Sequence, residues 1–94
     1  MPVGLLTLHM QIPGCASLKE KRSHIKPLLA RLHREFNVST AEMGLQDVWD
    51  ETLITCAWVG NDPVHIQRSL QTIIGWLGQN WPDLDLINDQ IEII

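Results

Sequence analysis

Basic side chains are concentrated in one short stretch of this sequence. Six of the chain's seven Lys and Arg residues lie between Lys19 and Arg34. The chemistry open to such a cluster is the binding of an anion, either a phosphate group or the backbone of a nucleic acid. A candidate anion-binding surface is therefore the first feature that the sequence offers.

Three of these cations crowd the start of a predicted helix. The segment Ser17-Leu18-Lys19-Glu20 has the pattern of a capping box, which predicts that the helix begins at Leu18. Lys19, Lys21 and Arg22 then lie beside the positive end of the helix dipole. Each such placement costs roughly 0.3 to 1 kcal/mol unless an anion is nearby. Cations at a position where acids are preferred indicate a candidate site.

The cations also follow the length of the predicted helix. Lys19, Arg22, Lys26 and His33 fall within about 60° of one another on a helical projection, so they form one row. A row of cations matches an RNA backbone. The alternative is that the row pairs with acids of this chain, because Glu42 to Ile94 holds nine acids and one Arg. The net charge of −4 and the absence of an aromatic RNA-recognition motif in the strands weaken the RNA interpretation.

Hydrophobic periodicity predicts the elements that position this row. Alternating and helical patterns give, in chain order, a strand Leu5 to Ile12, a helix Leu18 to about Phe36 with a kink at Pro27, strands Val38 to Met43 and Thr52 to Val59, a helix capped by Asp62 that runs from Pro63 to about Gly78, and a strand Leu84 to Ile94 with a bulge near Asn88-Asp89. This order predicts an α+β, ferredoxin-like βαββαβ fold, a four-stranded antiparallel sheet with both helices on one face. Residues 1 to 94 suit one such domain.

One face of the predicted sheet has no helix to cover it. Its residues are Leu5, Thr7, His9, Thr55, Ala57 and Val59. That set is apolar enough to be a poor surface for water, so we expect a homodimer or another partner at this face. Trp49, in the loop from Gly44 to Asp50, either anchors a partner or folds back over the edge of the core.

Several other classes of protein fit the sequence poorly. No apolar run is long enough to cross a bilayer, and Thr7, His9 and Gln11 interrupt the N-terminal apolar residues, so we expect a cytoplasmic protein without membrane contact. The Cys and His residues lack the spacing of metal ligands, and we expect no metal and no cofactor. An enzyme that uses Cys15 as its nucleophile lacks a base placed by the sequence, so catalysis is the weakest hypothesis.

Several short segments resemble a known family. They are Ser17-Leu18-Lys19-Glu20-Lys21-Arg22, Phe36-Asn37-Val38-Ser39, Ala41-Glu42, Gln46-Asp47 and Val59-Gly60-Asn61-Asp62. Together they resemble the YlxP-like family, whose members are small bacterial proteins catalogued as a domain of unknown function. The resemblance covers nearly the whole chain and implies a ferredoxin-like fold. Genes of the family often lie among those for translation and ribosome maturation, which implies association with the ribosome or RNA, and the family supplies no catalytic residues.

The leading hypothesis is therefore a non-enzymatic binding protein. Its contacts with ribosomal RNA, a ribosome-associated protein or another polyanion come from Lys19, Lys21, Arg22, Lys26 and His33. The alternative is a structural or protein-interaction module that acts as a homodimer, with Thr7, His9, Ala57 and Trp49 at the contact.

Overall fold

The structure is a computed structural model that describes residues 1–94. Its helices and strands follow one another in the order that the periodicity predicts. Strand β1 (Val3–Gln11) is followed by helix α1 (Leu18–Glu35), strands β2 (Ser39–Gly44) and β3 (Glu51–Val59), helix α2 (Pro63–Asn80) and strand β4 (Asp85–Ile93). The sheet order is β2-β3-β1-β4, with every neighbouring pair antiparallel. This is the ferredoxin-like α+β fold, so the predicted fold class is confirmed.

Alternation along the two central strands separates the core from the open face. Leu6 and Leu8 of β1 and Ile54 and Cys56 of β3 are fully buried beneath the helices, whereas the residues between them are half-buried. The core side of β3 therefore carries Ile54 and Cys56, with Trp58 partly buried beside them, on the opposite side from the predicted open face. The helices contribute a second layer of buried side chains, namely Ile25, Leu28 and Leu32 from α1 and Ile66, Leu70, Ile73 and Leu77 from α2.

The predicted first residues of both helices are confirmed by their N-terminal caps, and the helices end at Glu35 and Asn80. The Ser17 hydroxyl accepts a hydrogen bond from the Glu20 N–H at 3.1 Å, and the Asp62 carboxylate accepts one from the Val64 N–H at 3.0 Å. Pro27 lies inside α1 on its exposed side, and the helix continues through it. No helix combines the length and the apolar character that a membrane span requires.

The last strand contains the irregularity that the sequence predicts. The pairing of β1 with β4 shifts between His9 and Met10, whose partners are Asn88 and Leu86. The extra residue is therefore Ile87, one position before the predicted Asn88-Asp89. β2 and β4 form the two edges of the sheet, and neither edge has a neighbouring strand.

Candidate anion-binding surface on helix α1

The first turn of α1 satisfies much of its own hydrogen bonding. Besides the Ser17 cap, the Glu20 carboxylate accepts a hydrogen bond from the Ala16 N–H at 3.2 Å. This carboxylate also places a negative charge at the positive end of the helix dipole. A phosphate bound to the backbone N–H groups at the helix start would meet that charge, so the anion-binding hypothesis is restricted to the cationic side chains of the helix.

Three of the predicted cations are exposed and have no partner in the chain. Lys19, Arg22 and Lys26 are exposed, and none of them forms an ion pair within 4.0 Å. The acids from Glu42 onward therefore do not neutralise these three side chains within one chain. We call Lys19, Arg22 and Lys26 the α1 row.

Lys21 is placed differently from the rest of the predicted site. It is only 2% exposed, and its ammonium group donates to the carbonyl oxygens of Leu45 and Val48, each at 2.7 Å. The third partner is Glu42, whose Oε2 lies 2.8 Å from Nζ and also accepts a hydrogen bond from the Thr52 hydroxyl at 2.6 Å. Two hydrogen bonds and this ion pair engage the buried ammonium group, so it is not available to an external anion, and the prediction that Lys21 belongs to the anion-binding set is corrected.

A signal for the burial of Lys21 is present in the sequence. Lys21, Ile25, Leu28 and Leu32 follow one another at spacings of four, three and four residues, which is the pattern of a single helical stripe. Lys21 is therefore the polar end of the buried stripe. The partners of Lys21 were not predictable in this way, because Glu42 and the loop carbonyls are brought to it only by the fold.

His33 and the remaining cations of α1 have local partners. His33 is exposed, and its Nδ1 lies 3.0 Å from the carbonyl oxygen of Val38, so the ring is directed toward the start of β2. The guanidinium of Arg31 lies 5.5 and 5.9 Å from the ring centres of Trp76 and Trp81, a cation–π arrangement. Its Nε is also 3.5 Å from Glu35, which lies 4.0 Å from Nε of Arg34.

A shallow depression of about 200 Å³ adjoins the α1 row on the side of β2. Leu18, Ile25 and Leu29 supply its apolar lining. Arg22 and Lys26 of the row also line it, together with Glu42 and Gln46. The row therefore lies beside an apolar surface, which allows contact with a ligand that is anionic at one side and apolar at the other.

The residues predicted to contact a protein partner lie on the open face of the sheet or at its end. Thr7 pairs with Thr55, and Ala57 pairs with Leu5, at the centre of the open face. His9 lies on the same face, with Nε2 2.8 Å from Oε1 of Glu51. Trp49 is 54% exposed, so of the two alternatives for this side chain the structure shows the exposed one.

Neither cysteine is arranged as a nucleophile in this structure. Cys15 and Cys56 are free thiols and both are buried. Burial raises the pKa of the Cys56 thiol from its ordinary value, and the hydrogen bond with Thr40 only partly offsets this shift. Cys15 donates to the carbonyl oxygen of Ser17 at 3.5 Å.

Two comparisons with known proteins identify the family to which this chain belongs. The family model described as "Protein of unknown function (DUF503)" matches residues 3–91. The chain belongs to the DUF503 family. It is also 32% identical over 83 residues to the uncharacterized protein YlxP of Bacillus subtilis (strain 168), a match that covers 88% of this chain and 89% of the relative. The resemblance to the YlxP-like family is thus confirmed.

Proposed function

We propose that this DUF503 protein is a non-enzymatic, cytoplasmic binding protein whose α1 row contacts RNA, in the ribosome or during its maturation. The observation that supports the proposal is the lack of any internal partner for Lys19, Arg22 and Lys26. Exposed cations that pair with nothing in their own chain retain their full capacity for phosphate oxygens.

The distribution of charge favours an approach to RNA in which helix α1 faces the RNA. The chain carries a net charge of −4, and nine of its eleven acids lie from Glu42 onward in the sequence; of these, Glu42 pairs with a cation of α1, the buried Lys21. Such a molecule is repelled by RNA over most of its surface and attracted at one helix, which favours a single orientation at the encounter. Lys19 and Lys26 are seven residues apart, so the row extends over about 10 Å of helix.

Charge reversal of the row tests the proposal. The variant with Lys19→Glu, Arg22→Glu and Lys26→Glu is expected to lose binding to ribosomal RNA at low salt, because each cation lost removes one phosphate contact and the counterions that it displaces. The measurement is co-sedimentation with ribosomes, together with a filter-binding titration over a series of salt concentrations. Far-UV circular dichroism checks that the fold is intact.

The matched control is Arg34→Glu, which is compared with the single reversal Arg22→Glu so that the change in net charge is the same. Arg34 is also an exposed cation of α1, but it lies outside the row and near Glu35. The control is expected to keep its RNA binding within a small factor. Unchanged binding in the triple variant, or equal losses in the Arg22→Glu variant and the control, would refute a specific role of the α1 row.

A second candidate function is that of a protein-interaction module that acts as a homodimer through its open sheet face. It is favoured by exposed apolar side chains on β2 and β3, since Val59 on that face is 53% exposed and Met43 at the end of β2 is 66% exposed. Under this candidate, replacing Thr7 and Ala57 by Lys is expected to convert the dimer into a monomer, because cations would be buried at the contact. Light scattering after size-exclusion chromatography measures the mass, and an unmutated chain that is monomeric excludes this candidate.

A further inference from the structure

The free edge of β4 presents hydrogen-bonding groups that nothing in the chain satisfies. Ile94 exchanges two backbone hydrogen bonds with Val3, at 3.1 and 2.8 Å. In an antiparallel ladder, the residues that bond to one neighbour alternate with those that point away from it. The N–H and C=O groups of Asp89, Ile91 and Ile93 therefore point outward from the sheet, where no further strand lies.

Exposed apolar side chains gather at this same edge. Four of the eight large apolar residues that are exposed in the molecule lie on β4, next to it, or on the adjacent flank of α2, namely Val64, Ile87, Ile93 and Ile94. A groove of about 400 Å³ runs between α2 and β4 and is lined by Val64, Arg68, Gln71 and Ile93 among others. β4 is a nine-residue edge strand without Pro or Lys, and such an edge is a site at which another strand adds to the sheet.

Two opposite charges at this edge also lack a partner. Arg68 is exposed on the flank of α2 beside Ile93, and Asp89 is exposed on β4. Neither residue forms an ion pair within 4.0 Å in the chain. Asp89 pairs with Leu8, whose side chain lies beneath the helices, so Asp89 is on the same side of the sheet as Arg68.

We infer that β4 pairs antiparallel with the β4 of a second copy of this chain, which extends the sheet across the two subunits. Placing Gln90 on the two-fold axis sets Asp89 opposite the partner's Ile91, so the outward backbone groups of both residues bond to each other. In this register Glu92 faces the partner's Asn88, and no two acids are opposed. A register centred on Asp89 would place that residue opposite its own copy and is disfavoured.

The same register joins the unpartnered charges. Val64 and Arg68 are one turn apart on α2 and flank the groove next to Ile93. The strand that adds there carries the partner's Asp89 opposite Ile91, on the helix side and within reach of the Arg68 guanidinium. Two symmetric Arg68–Asp89 ion pairs thus connect the subunits. The inference goes beyond both candidate functions, since neither of them uses β4.

Exchange of these charges tests the inference. The variants Arg68→Asp and Asp89→Arg are each expected to raise the dimer dissociation constant by roughly tenfold, because two attractive pairs become repulsive. An equimolar mixture of the two variants is expected to form a heterodimer, in which both pairs are again of opposite charge. Sedimentation equilibrium measures the mass relative to the 10.7 kDa monomer.

The controls separate this interface from the others. The open face and the β4 edge predict opposite results for the variant with Thr7→Lys and Ala57→Lys, since the β4 dimer stays intact and a dimer of the open face dissociates. A monomeric unmutated chain, charge variants that dimerise as well as the unmutated chain, or a mixture that stays monomeric would each overturn the β4 interface. The RNA-binding test is independent, because the α1 row takes no part in this contact.

Discussion

Replacing Lys21 by Met is expected to lower the free energy of unfolding by about 3 kcal/mol. The substitution keeps the aliphatic length of the side chain and removes the ammonium group. It leaves Glu42 facing the core edge without its counter-charge and leaves the carbonyl oxygen of Val48 without a donor, while the Leu45 carbonyl oxygen keeps only the Val48 N–H. Removing one partner of a buried ion pair costs about 3 to 5 kcal/mol, and Glu42, which is 21% exposed, places this case at the lower end. Urea denaturation followed by circular dichroism measures the change.

Lys19→Met is the matched control for this prediction. It makes the same chemical change two residues earlier in the same helix, at an exposed side chain without a partner. Its expected effect is within about 0.5 kcal/mol. Equal effects of the two substitutions would contradict the structural role of Lys21. Combining Lys21→Met with Glu42→Gln is expected to cost less than the sum of the single changes, since the orphaned charge is then absent.

Gly4→Ala is expected to destabilise the protein by about 2 kcal/mol. A Cβ atom at Gly4 would overlap with Cγ2 of Ile66 and would lie 2.9 Å from Cδ1 of Leu70. Both of these side chains are fully buried, so helix α2 must move away from β1 to make room. Overpacking of a core in this way costs about 1 to 3 kcal/mol. The change is measured from the midpoint of thermal or urea unfolding.

Gly75 offers the matching control on the exposed side of α2. A Cβ atom there meets no atom within 4 Å, and the residue lies in the interior of the helix. Gly75→Ala is therefore expected to stabilise the protein by about 1 kcal/mol through helix propensity. The same Gly→Ala change is thus predicted to lower the free energy of unfolding at Gly4 and to raise it at Gly75. A neutral or stabilising Gly4→Ala would show that the approach of α2 to β1 is looser than the structure indicates.

Local patterns were sufficient to predict much of this fold. The alternation from Leu5 to Ile12 predicted a half-buried strand, and the cap residues Ser17 and Asp62 predicted where the helices begin. Caps and periodicity act over a few residues, so they are visible without knowledge of the rest of the chain. The shift of register in the last strand predicted a bulge, which the structure places at Ile87.

The candidate site was predictable only in part. The exposed positions of Lys19, Arg22 and Lys26 follow from helical periodicity alone. The same periodicity places Lys21 in line with Ile25 and the buried stripe, but a buried Lys is stable only if acceptors are supplied. Glu42 and the 45–48 turn lie 21 residues or more further along the chain, so no local pattern connects them to it. Leu45 itself has a positive φ of 58°, and its carbonyl oxygen accepts hydrogen bonds from both Lys21 and the Val48 N–H.

The sequence by itself determined the order of the elements, the two helix caps and the concentration of basic residues on the first helix, because each depends on neighbours in the chain. Only the tertiary structure decided which of those cations are free. Long-range pairing of the strands brings Glu42 and the loop carbonyls to Lys21 and places no carboxylate within 4.0 Å of the charged groups of Lys19, Arg22 or Lys26. The same pairing left β4 at an open edge with Arg68 beside it, since sheet order is set by contacts between distant segments.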